Sequence, residues 1–440
     1  MFQHKRLTII AAIGLVLASF WIWENFIKVA DPSLVNGRLP SHVRPLHYKL
    51  RLYISPEKED FQGEALIDLQ SSERINELYL HAQDLRFTEI ATSADQKNWN
   101  AAVAQPLSNS GLTSLKFDDS IAPGRFQLKL KYIGRYTKNN EGLWRQRVNE
   151  DWYVFNQFNS IFARRAVPGF DEPGIRNTFE LEVIAPSWHH VVSNSPLIDT
   201  HTLADSLKRV RFSVTPPISL HQLNISVGPF DIIPGNILKP NDYRRSNLPI
   251  RAVALKGQGA HARYALSQIG RMVEEAEAYF GMPFPFEKLD VIAVPNSSEG
   301  VLEHPGAINL RDRIMLFDSH HQQDSERLFL SFFTHGLIHH WVGNLVAMDW
   351  WSDVWLYEGM SEWLTYRLLE KVYPELHFEI DRHQARATVM NNDVNSPKPL
   401  RPASIVSDAD IHTVYDASTT SKSAALIRML ERFVREDRFQ

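Results

Sequence analysis

Two histidines four residues apart, in the run His335-Gly336-Leu337-Ile338-His339, precede a glutamate, Glu358, in the run Leu356-Tyr357-Glu358-Gly359. On a helix, positions i and i+4 project from one face, so both imidazoles can close on a single ion. Two histidines and one carboxylate with an open fourth position form the donor set of a catalytic zinc site, and one zinc ion is the expected cofactor, held by His335, His339 and Glu358. The other half of the chemistry is absent. In an H-E-x-x-H site the glutamate takes the proton from metal-bound water as it attacks a carbonyl. Here that position is Gly336, which has no side chain and costs a helix interior about 1 kcal/mol relative to alanine. No catalytic residue is assigned.

Two helices must present these donors. Ser331 to Val346 reads as mostly helical, with Phe332, Phe333, Leu337, Ile338 and Trp341 interspersed, and Glu358 would come from a second helix continuing through Ser361 to Lys371. Ala262 to Phe280 recurs at three- and four-residue steps as a helix, Leu289 to Val294 reads as a strand, and Ser423 to Val434 is an amphipathic helix. Upstream the period changes. Short alternating runs such as His47 to Ile54, Phe61 to Leu69, Arg125 to Tyr136 and Thr178 to Ala185 describe an antiparallel all-β domain ending near Phe230 to Ile233. The Pro/Gly/Asn-rich passage Pro234 to Pro249 marks a boundary.

Leu7 to Trp23 is uncharged and mostly apolar, preceded by Lys5-Arg6 and ended by Glu24, just long enough to span a bilayer. The flanking charges put the amino end in the cytoplasm and the main body in the periplasm or outside the cell. A cleaved signal peptide is the competing reading, since Val16-Leu17-Ala18-Ser19 supplies small residues. Phe20, Trp21 and Trp23 extend the run and favour an uncleaved signal-anchor. The resulting organisation is multidomain: 1–26 cytoplasmic tip and transmembrane helix, 27–38 linker, 39–238 β domain, 239–440 metal-bearing α/β domain, mainly helical. The charged Arg435 to Arg438 is either a surface terminus or a point where a longer protein continues.

A net charge of −4 and the lack of a basic stripe exclude nucleic acid as the expected partner, and no glycine-rich phosphate loop calls for a nucleotide. The absence of cysteine fits an exported chain whose core is large enough to dispense with disulfides.

With these motifs in place, the chain from about Leu39 onward resembles the M1 family of zinc aminopeptidases, the gluzincins that include membrane alanyl aminopeptidase. The resemblance rests on Phe155-Asn156-Gln157-Phe158, on Ala163 to Pro173, on His339 to Val346 and on Trp350 to Leu356. It implies a saddle-like β domain packed on a thermolysin-like domain, with the cleft between them. His335, His339 and Glu358 fall on the family's ligands and Gly336 on its general base. The family's G-x-M-E-N loop corresponds to Gly300-Val301-Leu302-Glu303-His304, so that Gln157, Gly300 and Glu303 are the implied substrate-binding residues, Glu303 and Gln157 holding a peptide amino terminus. The family's oxyanion-stabilising tyrosine aligns with Thr420, too short for that role, with Tyr415 nearby; Tyr357 stands beside the third ligand in place of a usual asparagine.

Base, oxyanion donor and substrate loop are thus altered together at Gly336, Thr420 and His304. The leading expectation is a pseudopeptidase that binds peptides with a free amino terminus, or a protein partner, without efficient hydrolysis. A divergent zinc aminopeptidase using His304, His340 or Glu362 as a replacement base is the alternative, and a structural subunit of a membrane assembly is a third. His340 reads as a packing or surface residue, Glu362 as either an orienting group or a solvent-facing one, Arg164, Arg165, Asp171 and Glu172 as structural ion pairs, and Trp350, Trp351 and Trp355 as core between the two ligand helices.

Overall fold

The computed structural model describes residues 37–317, 322–416 and 418–439. Residues 42–440 make one unit.

Alternation dictates its first part. In Asp60–Ser71, Phe61, Ala65, Ile67 and Leu69 fall on one buried face, and the opposing strand Gly124–Arg135 does the same with Phe126, Leu128, Leu130 and Tyr132. Each such large side chain contributes about 1.5–3 kcal/mol on burial. The two strands pair antiparallel without a bulge, from Asp60 opposite Arg135 to Ser71 opposite Gly124. Gly63 sits under the Tyr132 ring, where a Cβ would lie 2.2 Å from Cζ, and the Tyr132 hydroxyl passes on to donate to Ala166 O at 2.9 Å. These strands lie within an eleven-stranded sheet. It is antiparallel except where Val43–Tyr53 runs parallel to Arg176–Pro186.

A second, four-stranded sheet carries Asp151–Gln157 between Ile225–Gly228 and Gly142–Val148. Its Trp144, Tyr153 and Phe155 form one apolar cluster with Phe230 and with Val253, Ile292 and Ala307 of the third sheet. That third sheet runs Asp231–Pro234, Ile250–Ala254, Leu289–Val294, Ala307–Arg311, Val301–His304. Leu289–Val294, buried at all six positions, pairs parallel with both neighbours, as expected for a strand covered on both faces. The edge hairpin turns at Gly306, whose φ of 70° and 2.5 Å approach to Asn194 O admit only glycine. Asn194 and Arg176 donate from the β part to Pro305 O (3.0 Å) and Leu345 O (2.8 Å), seating the site's loops against it.

Helix Arg263–Phe280 buries Ala265, Ile269, Met272, Val273 and Ala276 and stops at Gly281 in the left-handed conformation. The histidine helix, Gln322–Ile338, and the glutamate helix, Val354–Val372, share its core through Phe329, Phe333, Leu337, Leu364 and Leu368, joined by Trp341 from the turn that follows the first. Helix Ser423–Val434 lies close on the glutamate helix at Gly359, whose Cβ would be 2.4 Å from Ser423 Cβ.

Three sequence expectations are corrected. The histidine helix ends at Ile338 and does not run to Val346, because Gly343 takes a φ of 124° and Asn344 N donates to His339 O. Trp350 and Trp351 pack with Ile161, Val354, Ile405, Ile411 and Val414, away from the space between the ligand helices. The reading as a single-pass membrane protein with a signal-anchor and a periplasmic or extracellular body is withdrawn. Among the described residues no helix is long and apolar enough to cross a membrane. The glutamate helix, at 19 residues, carries Glu358, Glu362, Arg367, Glu370 and Lys371. The predicted span Leu7 to Trp23 lies outside the described residues.

Candidate metal centre and cleft

The last turn of the histidine helix, His339 just past its end and the first turns of the glutamate helix bring three donor atoms together. His335 Nε2 lies 3.0 Å from His339 Nε2 and 3.3 Å from Glu358 Oε2, and His339 Nε2 lies 3.8 Å from Glu358 Oε2. A tetrahedral ion with bonds of about 2.0–2.1 Å needs donors about 3.3–3.4 Å apart. Among the described residues this is the one group of three metal-capable side chains drawn so close.

The outer nitrogens decide what the inner ones offer. His339 Nδ1 faces Val342 O at 3.1 Å, which only accepts, and Ser361 Oγ at 3.0 Å. His335 Nδ1 faces Glu362 Oε2 at 3.2 Å. Both Nδ1 atoms therefore donate, so that in the neutral imidazoles both Nε2 atoms turn lone pairs toward each other and toward the Glu358 carboxylate. With both imidazoles neutral, three acceptors face one another and call for a positive charge between them, supplied by a proton on His335 in the metal-free protein and equally well by a metal ion, so the residues fit a metal ion. Partners on the far side of ligating histidines fix ring orientation and raise affinity. In the metal-free protein burial works against protonation of His335, but its hydrogen bonds to Glu358 and Glu362 outweigh this and push its pKa up to about 10. Burial and the neighbouring His335 push His339 down to about 3.

The donors open on a cleft of about 830 Å³ whose lining includes Gln157, Gly300, Glu303, Tyr415 and Thr420. Gln157 ends its strand with Oε1 buried and without a hydrogen-bond partner. Gly300 lets the edge strand meet the histidine helix, since a Cβ there would be 2.2 Å from Phe332 Cε1. Glu303 Oε1 accepts from the Tyr357 hydroxyl at 2.7 Å. Burial raises its pKa and this hydrogen bond partly offsets the rise. The Tyr357 ring stacks on His339, centroids 4.1 Å apart, in space opened by Gly343. Metal ligand and cleft carboxylate are thereby joined through one tyrosine, a link the sequence pattern did not reveal.

Gly336 is buried beneath the edge strand, next in sequence to the cleft-lining His335: a Cβ there would be 2.7 Å from Val301 Cγ2 and 3.2 Å from Ile308 Cγ2. Thr420 turns its hydroxyl back to Asp416 O at 3.4 Å. Tyr415 also lines the cleft, bonded to Asn159, and its phenol pKa is held well above 10 by burial and by Glu358 and Glu303. Of the three replacement bases considered, two lie elsewhere. His304 is buried with Nδ1 against Gln222 O at 3.3 Å, and His340 is sandwiched by Phe284 and Phe286 with Nδ1 donating to Gly336 O. Glu362 lines the cleft but is engaged with His335. Asn159 and Glu299 also line it; neither stands in a run with metal or catalytic spacing, so sequence reasoning had no signal for them. Arg164 and Asp171 pair at 3.0 Å, fully buried, as a structural tie.

Comparison with known proteins agrees with this architecture. The Peptidase M1 N-terminal domain matches residues 44–220 and the Peptidase family M1 domain matches residues 264–440. Aminopeptidase M1-D of Oryza sativa subsp. japonica is 27% identical over 409 residues, covering 92% of this chain and 46% of its own. Aminopeptidase 2 of Candida albicans is 28% identical over 413 residues, covering 91% and 43%. Endoplasmic reticulum aminopeptidase 2 of Homo sapiens is 28% identical over 436 residues, covering 93% and 44%. The chain spans slightly under half the length of these relatives. Two family domains in the same order over most of its length, converging on a His-His-Glu donor set, mean that the chain belongs to the M1 peptidase family.

Proposed function

We propose that this is a degenerate M1 protein whose cleft captures peptide amino termini in a zinc-dependent manner while hydrolysing them poorly. The observation that carries the reading is the combination, in one cleft, of a three-acceptor donor set with an unpaired Gln157 amide oxygen and the Glu303 carboxylate, beside a position 336 that offers no proton acceptor. His335, His339 and Glu358 would hold a zinc ion, which when bound would supply Lewis acidity toward a carbonyl oxygen. Glu303 and Gln157 take the protonated α-amine, and Tyr357 fixes the Glu303 carboxylate through its hydroxyl. Glu362, Ser361 and the Val342 carbonyl hold the two imidazoles in register. With no side chain at 336 and Thr420 turned to its own backbone, proton abstraction and oxyanion support are both missing. The expected losses are roughly 100- to 10,000-fold for the first and roughly 100- to 1,000-fold for the second. The division into a β domain over 39–238 and a metal-bearing domain over 239–440 belongs to the same proposal.

A second reading, a divergent zinc aminopeptidase, is favoured by the complete donor set with its orienting partners and by the names of the relatives, all aminopeptidases. In that reading Glu303 or Glu362 would accept the proton and Tyr415 would face the oxyanion. Titration of the zinc-loaded protein with a short peptide, and with the same peptide acetylated at its amino end, tests the first reading. Saturable binding of the free peptide alone supports it, and equal binding or none of either removes it.

A further inference from the structure

We infer that Gly336 and Val301 act as a coupled pair: Val301 of the edge strand occupies the place where any side chain from position 336 would begin, so a carboxylate cannot be restored there unless residue 301 is shortened. The inference rests on the proposed loss of a base at 336 and adds its physical cause.

Backbone conformation does not require glycine at 336. The residue is α-helical with negative φ, where glycine is the poorer helix former. What requires it is close approach. An added Cβ would stand 2.7 Å from Val301 Cγ2, closer than real Cβ atoms come, 3.2 Å from Ile308 Cγ2 and 3.8 Å from Ile308 Cδ1. Ile308, fully buried in the main core, would have to give by only a few tenths of an ångström, so Val301 is the side chain that blocks the position. Val301 is β-branched, with restricted χ1, and is held in an antiparallel hairpin opposite Leu310. The strand is also seated a second time on the same helix face. Gly300 approaches Phe332, four residues before Gly336, so that the strand cannot rise at 336 without lifting at 332. Glycine at 336 and valine at 301 thus satisfy one packing requirement, and the site has an apolar wall where a base would stand.

The test is a double-mutant cycle on the full chain, read first by thermal melting. Propensity alone predicts that Gly336→Ala raises the Tm by about 1–4 °C. Coupling predicts the opposite sign in the native background, a fall of roughly 2–10 °C as for other overpacked cores, and a rise once Val301→Ala is present. Gly336→Glu should show the same pattern. Turnover of an aminoacyl reporter above the His335→Ala background should then appear in Gly336→Glu/Val301→Ala and not in Gly336→Glu. A Tm that rises in Gly336→Ala without help from Val301→Ala, or additive effects within error, overturns the pair. Turnover by the unmodified protein equal to that of the double variant would instead remove the pseudopeptidase reading, with the melting cycle still deciding the packing claim.

Discussion

Glu362→Gln isolates the claim that the donor set is built for a metal ion, because it changes a charge and leaves size and ligands intact. Glu362 Oε2 receives the His335 Nδ1 proton at 3.2 Å, with the two side chains only 18% and 16% exposed. At that exposure solvent screens the pair weakly. A neutral amide oxygen can still accept this hydrogen bond but no longer raises the basicity of Nε2. Removing such orienting partners costs roughly 10- to 100-fold in metal affinity, or about 1.4–2.7 kcal/mol, and the low exposure argues for the upper part of that range. The assay is competition for zinc between the metal-free protein and a chromophoric chelator at fixed pH. Asp324→Asn serves as control, since Asp324 lines the same cleft outside the donor set and its partners. Zinc affinity within twofold of the unmodified protein in Glu362→Gln would refute the reasoning.

The same geometry predicts other outcomes. In the metal-free protein His335 has its pKa raised to about 10 from an ordinary 6.5, so its contribution to stability is fully present below about pH 6.5 and is lost as pH rises through 10. Urea midpoints of metal-free protein should fall over that window, and zinc should abolish the trend; a flat metal-free profile would contradict it. Tyr357→Phe removes the donor that partly restrains the burial-raised pKa of Glu303, and hydrogen bonds to charged groups are worth about 1.5–3 kcal/mol. Peptide capture should weaken roughly 10-fold or more at neutral pH, checked by calorimetry, with unchanged affinity counting against the bridge. Burial holds His221 and His340 near 3 and His304 near 4, so each costs stability as pH drops below about 6.5. Acid unfolding should take up close to three protons from these groups, and a shallower slope in His304→Gln is the check.

Much of the metal centre was legible because its information is local. His335 and His339 declare their shared face through spacing alone, and the apolar rhythm of Phe333, Leu337 and Trp341 marks the helix that carries them. The end of that helix was misread because Trp341 and Val346 prolong the apolar rhythm, while the break depends on the positive φ of Gly343 and the room it makes for Tyr357. The strands of the β part show in their alternation, yet the parallel pairing of Val43–Tyr53 with Arg176–Pro186 joins segments more than a hundred residues apart, and period two carries no partner information. Gly336 revealed a missing carboxylate but not the valine over it, since nothing in a sequence says which strand faces which helix turn. The Tyr357 to Glu303 bridge was hidden for the same reason.

The central claim is capture without efficient cleavage. The most direct measurement uses one aminoacyl reporter peptide with the zinc-loaded protein, reading its binding by calorimetry and its release of free amino acid by chromatography, beside His335→Ala and Glu303→Ala. The account predicts saturable binding that is lost in Glu303→Ala, and release no faster than that of His335→Ala. Zinc-dependent release well above that background would contradict it and establish a working peptidase with a replacement base.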